Sequence, residues 1–167
     1  MDRQHPDRTD LRRIRLLRAA YRAAWRARTV VRLLPFPHMN GAMAAVWCDG
    51  HVLLVRNSYN DFHTLPGGRL KAGESFRRGA ARELAEETGI VLAAEDLRPA
   101  GREILRFGLR RDAVEVHETS LDARPPLEID PVEIAEAAWV TPAEALALPL
   151  FGPTRRYLEA RGADPLR

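Results

Sequence analysis

Cysteine and long hydrophobic runs are almost missing from this 167-residue sequence, and each shortage excludes a class of protein. Cys48 is the single cysteine, so neither an intrachain disulfide nor a zinc site built from cysteines can form. No run of about 18 apolar residues is present, so no helix that crosses a bilayer is predicted. Arginines interrupt the N-terminal segment and leave no apolar core of about 7–15 residues, which a secretory signal needs. We therefore expect a protein of the reducing cytoplasm.

Acidic residues are scarce in the first 34 residues, where ten arginines accompany Asp2, Asp7 and Asp10 for a net charge of +7. Because the whole chain carries +3, the remainder carries −4. An acidic body lacks the basic face that nucleic-acid binding requires, so a nucleic acid is disfavoured as a partner. The three aspartates also disfavour an organelle transit peptide, which is poor in acids.

The basic arm has apolar residues at every third or fourth position from residue 11 to residue 34, which is typical of one helix face. Pro35 and Pro37 then disfavour helix. We divide the chain into a basic amphipathic helix with its linker, 1–37, and a folded domain, 38–167. The apolar stripe needs cover from the domain, from a second copy in a homodimer, or from a membrane surface. We expect the arm to be dispensable for chemistry but not for association.

Patterns within the domain predict an α/β fold. Two β-rich runs, 41–47 and 51–56, flank Asp49-Gly50, a strong hairpin signal. The segment TLPGGRLKAGES is then expected to be a loop, and residues 75–87 are expected to form a helix that stops at Gly89. Further strands are predicted at 97–107, 113–121 and 138–140, and further helices after Thr141 and over 153–161.

Three glutamates of the predicted helix, Glu83, Glu86 and Glu87, are spaced at i, i+3 and i+4 and therefore share one helix face. Acidic helix faces are common, and many are simply solvated. The same arrangement also supplies the oxygen ligands that Mg²⁺ or Mn²⁺ prefers. The spacing by itself leaves both interpretations open.

The residues around these glutamates extend the pattern and decide between the two interpretations. The segment GRLKAGESFRRGAARELAEETGI resembles a complete Nudix box. Its seven fixed and two aliphatic positions are met by Gly68, Glu74, Arg82, Glu83, Leu84, Glu86, Glu87, Gly89 and Ile90. An accidental match of this kind has odds below about one in a million. The flanks LPGG and EIAEAAWVTPAEAL are also similar to the family, so the resemblance covers roughly residues 41–150.

The resemblance implies an α/β/α sandwich with a mixed sheet, and an enzyme that depends on Mg²⁺ or Mn²⁺. Such an enzyme cuts a phosphoanhydride bond in a nucleoside diphosphate linked to another group. Glu83, Glu86 and Glu87 would bind the metal, and Glu83 would help to deprotonate the attacking water. The Gly67 carbonyl would complete the coordination.

The remaining box residues have supporting roles in this comparison. Arg82 would orient a box carboxylate, and Glu74 would lie near the helix start and pair with it. Gly67 and Gly68 would let the backbone approach the substrate without a side chain in the way. Gly89 would end the helix.

Many family members take one more carboxylate from a loop beyond the central strands. The candidates here are Glu133 and Glu136, and we favour Glu133 because it lies on the loop side of EIAEAAW. Glu115 and Glu118 on a predicted strand remain alternatives, although we expect both to face solvent.

Other residues are candidates for contact with the substrate. Arg56 ends a predicted strand, and His63 precedes TLPGG closely enough to touch a phosphate, although a lone histidine is more often a packing residue. Tyr59 and Phe62 have aromatic faces that can stack on a base or close the end of the hairpin. The predicted contact set for a small nucleotide-type molecule is Gly68, Arg56, His63 and Tyr59.

Two other functions compete with a hydrolase. A Nudix-like domain can bind a nucleotide as a regulatory module without cleaving it, but the intact Arg82 and glutamates count against this. Hydrolysis at the 5′ end of RNA, with the basic arm on the phosphates, would show a strong salt dependence.

Overall fold

The computed structural model describes residues 17–20, 23, 40–107 and 110–162. Residues 17–20 and 23 are helical, and the rest of the predicted arm helix and its linker lies outside the described residues. The strands and helices of the domain are, in chain order, β1 (Gly41–Cys48), β2 (His51–Asn57), β3 (Gly67–Arg69), α1 (Phe76–Thr88), β4 (Arg98–Phe107), β5 (Arg110–Ser120), β6 (Ile134–Val140), α2 (Pro142–Ala147) and α3 (Gly152–Gly162).

The sheet is mixed, as the resemblance implied. Its strand order is β4-β5-β1-β2-β6, with β3 paired to β1 beside this path. Strands β1 and β5 run parallel, and the other pairs are antiparallel. The predicted hairpin is confirmed: Asp49 and Gly50 both have positive φ, 48° and 70°, as a two-residue turn that follows the twist of the strands requires.

Helices cover both faces of the sheet, which confirms the predicted α/β/α sandwich. Alternate residues of β1 point to opposite faces. Ala42, Ala44 and Val46 pack with α1 through Ala80 and Leu84. Met43, Ala45 and Trp47 pack on the other face with residues of α2 and α3, and Trp47 Nε1 donates to the Tyr157 hydroxyl at 2.8 Å. Among the described helices, none is long and apolar enough to cross a membrane.

Two details differ from the prediction. The segment predicted as one loop contains β3, whose three residues pair with Gly41, Ala42 and Met43 of β1. Strand β6 begins at Ile134 rather than at residue 138, because its earlier residues pair with the last residues of β2 up to Asn57. Both β3 and the first residues of β6 are extended because their backbones pair with a neighbouring strand. Neither segment has the alternation of polar and apolar residues that would have predicted a strand.

Candidate active site

Helix α1, which carries Glu83, Glu86 and Glu87, is capped at both ends. Ser75 caps the start, where its side chain accepts a hydrogen bond from the Arg78 N–H at 3.3 Å. Gly89 ends the helix with a φ of 75° and donates its N–H to the Ala85 carbonyl at 3.0 Å. A Cβ at Gly89 would also lie 2.8 Å from Cβ of Glu128, so both the backbone angle and the space favour glycine.

Arg82 organises the first carboxylates of the site. Its Nε and Nη2 donate to the two oxygens of Glu74, each at 2.8 Å, in a bidentate pair. Its Nη1 donates to Glu83 at 2.7 Å and to Glu86 at 2.8 Å, and Nη2 also reaches the Arg69 carbonyl. The Arg82 hydrogen bonds hold the pKa of Glu74 down at about 2. Arg82 therefore connects the loop before α1 to two box glutamates.

Glu87 is the most deeply buried carboxylate of the site, with 3% of its surface exposed. It accepts a hydrogen bond from the Gly67 N–H at 2.8 Å and one from Asn57 Nδ2 at 3.2 Å. Burial raises the pKa of Glu87 to about 8, and the nearby charges of Glu83 and Glu133 act in the same direction. Asn57 was not predicted as a site residue; its only sequence signal is an amide at the end of an apolar strand.

Glu83 lies between Arg82 and the backbone of β3. Burial raises the pKa of Glu83, and its hydrogen bond from Arg82 opposes this. A Cβ at Gly68 would stand 2.6 Å from the Glu83 carboxyl group, so the Glu83 carboxylate occupies the space that glycine leaves open. Gly68, predicted to contact substrate, thus contacts Glu83.

Glu86 is the exposed member of the three, with half of its side chain accessible. Besides Arg82, it pairs with Lys71 Nζ at 3.3 Å. Lys71 was also missed by the sequence analysis, because a lysine in a polar loop has no distinguishing pattern.

The two downstream candidates lie in different environments. Glu133 is half-buried, and its pKa is raised first by burial and then by the charges of Glu83, Asp130 and Glu86. Glu136 instead pairs with Arg56 at 3.3 Å and lies 3.6 Å from His63. Glu133 therefore shares the electrostatic surroundings of the box glutamates.

Arg56 and His63 lie against Glu136 rather than against the box carboxylates. Successive strand residues point to opposite faces, so Arg56 faces away from its neighbour Asn57, which contacts Glu87. The Nδ1 atom of His63 is buried and has no hydrogen-bond partner among the described residues. Tyr59 is half-buried in the turn after β2. Phe62 stacks on Phe151 with ring centroids 5.6 Å apart, so its ring is engaged within the fold.

The alternative acids on β5 have other partners, and the expectation that both face solvent is wrong. Glu115 pairs with Arg102 at 3.3 Å, and its side chain is 18% exposed. Glu118 accepts a hydrogen bond from the Tyr157 hydroxyl at 2.5 Å and pairs with Arg161. Glu118 is therefore part of the packing between the sheet and α3.

A cavity of about 210 Å³ lies between α3 and strands β4 and β5. Its lining includes Val114, Val116 and Tyr157 of the apolar core, with the ion pair of Glu103 and Arg156 at its edge. Since Val114 and Val116 face away from α1, this cavity is on the opposite side of the sheet from the box glutamates.

The donor chemistry of the site fits a hard divalent cation. Glu83, Glu86, Glu87 and Glu133 offer carboxylate oxygens, the ligands that Mg²⁺ and Mn²⁺ prefer. Within the part of the chain that the structure describes, no group of three or more acidic, histidine or cysteine side chains is already arranged to hold a metal ion. Glu86 is held by Arg82 and Lys71, and Glu87 by hydrogen bonds from Gly67 and Asn57.

Comparison with known proteins agrees with the box. The model of the NUDIX domain matches residues 37–161. A MutT-like protein from Streptomyces ambofaciens is 38% identical over 63 residues, which are 38% of this chain and 41% of that relative. The chain thus spans about two fifths of the length of this curated relative.

Solved structures share the fold. A MutT protein from Methanosarcina mazei Go1 matches with a TM-score of 0.66 and 24% identity, over 80% of this chain and 99% of that one. The NUDIX domain of Shewanella oneidensis NrtR, complexed with ADP ribose, matches with a TM-score of 0.64 and 20% identity, over 82% and 97% of the two chains.

Proposed function

The chain belongs to the NUDIX family, and we propose that it is a hydrolase that uses Mg²⁺ or Mn²⁺ to cleave a phosphoanhydride bond in a nucleoside diphosphate linked to another group. The ADP ribose in the S. oneidensis structure supports this substrate class, because it is a nucleoside diphosphate joined to a sugar.

The observation that carries the proposal is the crowding of negative charge around α1. Burial and neighbouring carboxylates raise the pKa of Glu83, Glu87 and Glu133. Among the described residues, Arg82 forms ion pairs with Glu83 and Glu86, and Lys71 forms one with Glu86, but neither pairs with Glu87. A divalent cation among these oxygens would offset the repulsion that remains.

Each residue then has a defined task. A bound divalent cation would neutralise the phosphate oxygens and lower the pKa of a bound water. Glu83 would accept the proton of the attacking water, because its carboxylate is held in place by a hydrogen bond from Arg82. Glu83, Glu86, Glu87 and Glu133, with the Gly67 carbonyl, would hold the cation.

Contacts with the substrate are part of the same proposal. We assign the backbone at Gly68 and the side chains of Arg56, His63 and Tyr59 to substrate. The Arg56 side chain is 30% exposed, and its guanidinium would exchange Glu136 for a phosphate group.

The cellular location and the partners of the protein are part of the same proposal. A cytoplasmic location rests on the single cysteine. Homodimer formation through the basic arm, or contact of the arm with a membrane surface, would cover any apolar stripe that the domain leaves open. Regulatory binding without cleavage is less well supported, because the full set of box carboxylates is present.

A panel of substrates tests the proposed activity. The purified protein would be incubated with ADP ribose, a nucleoside diphosphate sugar, a dinucleoside polyphosphate and a nucleoside triphosphate, each with Mg²⁺, with Mn²⁺ and with excess chelator. We expect at least one to release a nucleoside monophosphate in a metal-dependent reaction. Glu83→Gln should lower this rate at least about 100-fold. Glu95→Gln, which changes an exposed acid, is the matched control. Failure to cleave any of the four substrates with either metal would overturn the proposal.

A further inference from the structure

The turn before β6 carries Glu133 and is organised by Asp130. The Asp130 side chain accepts a hydrogen bond from the Val132 N–H at 2.8 Å. The Asp130 carbonyl accepts from the N–H groups of Glu133, at 3.2 Å, and Ile134, at 2.8 Å. These bonds shape the turn, which we call the Glu133 turn (130–134), but they do not attach it to the rest of the chain.

Three successive carbonyls of the Glu133 turn make that attachment. The Glu133 carbonyl accepts from the Ser58 N–H at 2.7 Å, and the Val132 carbonyl accepts from the Ser58 hydroxyl at 2.6 Å. Ser58 directly follows Asn57, which holds Glu87, so these two bonds connect the turn to the site. The Pro131 carbonyl accepts from Arg18, 113 residues earlier in the chain.

The Arg18 contact uses the geometry of the guanidinium. Its Nε and Nη2 both donate to the Pro131 oxygen, at 2.9 and 2.7 Å. Arg18 is half-buried, whereas Leu17, Ala19 and Ala20 around it are exposed. Among the described arm residues, the contact with the domain is therefore made by a basic side chain rather than by the apolar stripe.

We propose that Arg18 is a positioning residue that holds the Glu133 turn against the site, so that the basic arm supports metal binding by Glu133. This rests on the proposed function, in which Glu133 is a metal ligand. It also modifies the expectation that the arm is dispensable for chemistry. The arm would lower the Mg²⁺ concentration that the enzyme needs, while the residues that transfer the proton belong to the domain.

The test compares Arg18→Ala and Arg18→Lys with Arg98→Ala, an exposed arginine at the opposite edge of the sheet. Amide hydrogen exchange of the metal-free, full-length chain gives a readout that needs no activity. In Arg18→Ala, the Glu133 and Ile134 amides should exchange about tenfold faster. Arg18→Lys should recover part of the protection against exchange. Lysine keeps the positive charge but lacks the guanidinium, whose two nitrogens donate to one oxygen. Arg98→Ala should match the parent.

The metal requirement gives the second readout. The Mg²⁺ concentration for half-maximal hydrolysis should rise about fivefold in Arg18→Ala, with little change in kcat at saturating Mg²⁺. Glu133→Gln should also raise this Mg²⁺ concentration. Adding Arg18→Ala to Glu133→Gln should not raise it further, because both changes act through the Glu133 carboxylate.

The outcomes separate this inference from the proposed function. Unchanged exchange and an unchanged Mg²⁺ requirement in Arg18→Ala, with a raised requirement in Glu133→Gln, would overturn the role of Arg18 alone. An unchanged requirement in Glu133→Gln would show that Glu133 is not a ligand, and the role of Arg18 would be overturned with it. A further rise in the double variant would show that Arg18 acts elsewhere, which also contradicts the inference.

Discussion

Gly68 lies directly against the carboxylate of Glu83, since a Cβ at Gly68 would stand 2.6 Å from the carboxyl carbon and from both oxygens. The neighbouring Gly67 meets a different surface. A Cβ there would lie 2.4 Å from the Ala42 carbonyl oxygen and 2.8 Å from the Met43 Cα, both in the backbone of β1. Glycine at position 68 thus leaves room for the Glu83 carboxylate, and glycine at position 67 permits the pairing of β3 with β1.

Gly68→Ala should therefore impair catalysis much more than folding. The obstructing atoms are the end of the flexible Glu83 side chain, which can move away at a small cost in stability. A carboxylate displaced by about 1 Å lowers turnover about 100-fold. Steady-state kinetics and thermal melting would be measured for this variant and for Gly101→Ala, where a Cβ meets nothing within 4 Å. Equal activity in the two variants would contradict the role of the Glu83 position.

Gly67→Ala should reduce stability instead. The obstruction is strand backbone that cannot rotate away, so β3 must separate from β1, at a cost of about 2 kcal/mol. Urea denaturation measures this change, and Gly101→Ala serves again as the control. A free energy of unfolding like that of the parent would be incompatible with the close contact of β3 and β1.

Arg82→Lys should fail to replace arginine despite keeping the charge. A lysine cannot form the bidentate pair with Glu74 while also donating to Glu83 and Glu86. We expect a loss of about 2 kcal/mol in stability, because side chains that are mostly buried lose hydrogen bonds. Turnover should fall at least about tenfold. Arg78→Lys on the exposed side of the same helix should behave like the parent in both measurements.

The raised pKa of the Glu87 carboxyl group should make the stability of the metal-free protein depend on pH. Its pKa of about 8 in the folded state exceeds the ordinary value of 4.5, so the folded state binds more protons between these two values. Its contribution to stability is complete below pH 4.5 and is lost as the pH rises through 8. Relative to Glu87→Gln, the parent should therefore lose stability across this range.

Denaturation curves with a chelator, recorded from about pH 5 to about pH 8.5, measure this loss. Glu95→Gln is the control, since an exposed acid should leave the slope of the parent unchanged. Parallel pH profiles for the parent and Glu87→Gln would contradict the raised pKa.

Much of this fold could be predicted from local sequence. The Asp49-Gly50 hairpin and the start of α2 at Thr141 were predicted because turns and caps depend on a few adjacent residues. The capping box of Thr141 and Glu144 is present, and α1 ends at Gly89 as expected. The shared face of the box glutamates likewise follows from the helical period alone.

The features that were missed depend on residues distant in sequence. Asn57 reaches Glu87 across 30 positions and Arg18 reaches Pro131 across 113, and neither contact has a local pattern that could reveal it. The degree of burial also requires the folded structure. Glu86 and Glu87 are adjacent in sequence, yet only Glu87 is buried, because it alone faces Gly67 at the start of β3.

Binding of a divalent cation to Glu83, Glu86, Glu87 and Glu133 is tested most directly by the melting temperature with and without Mg²⁺. A ligand at about 100 times its Kd stabilises the folded state by about 2.7 kcal/mol. For a chain of this size, that corresponds to a rise of about 5–10 °C. The parent and Glu95→Gln should show this rise, and the four variants with glutamine at one of these positions should show a smaller one. If Mg²⁺ raises the melting temperature of all four variants as much as that of the parent, the cation does not bind at this cluster.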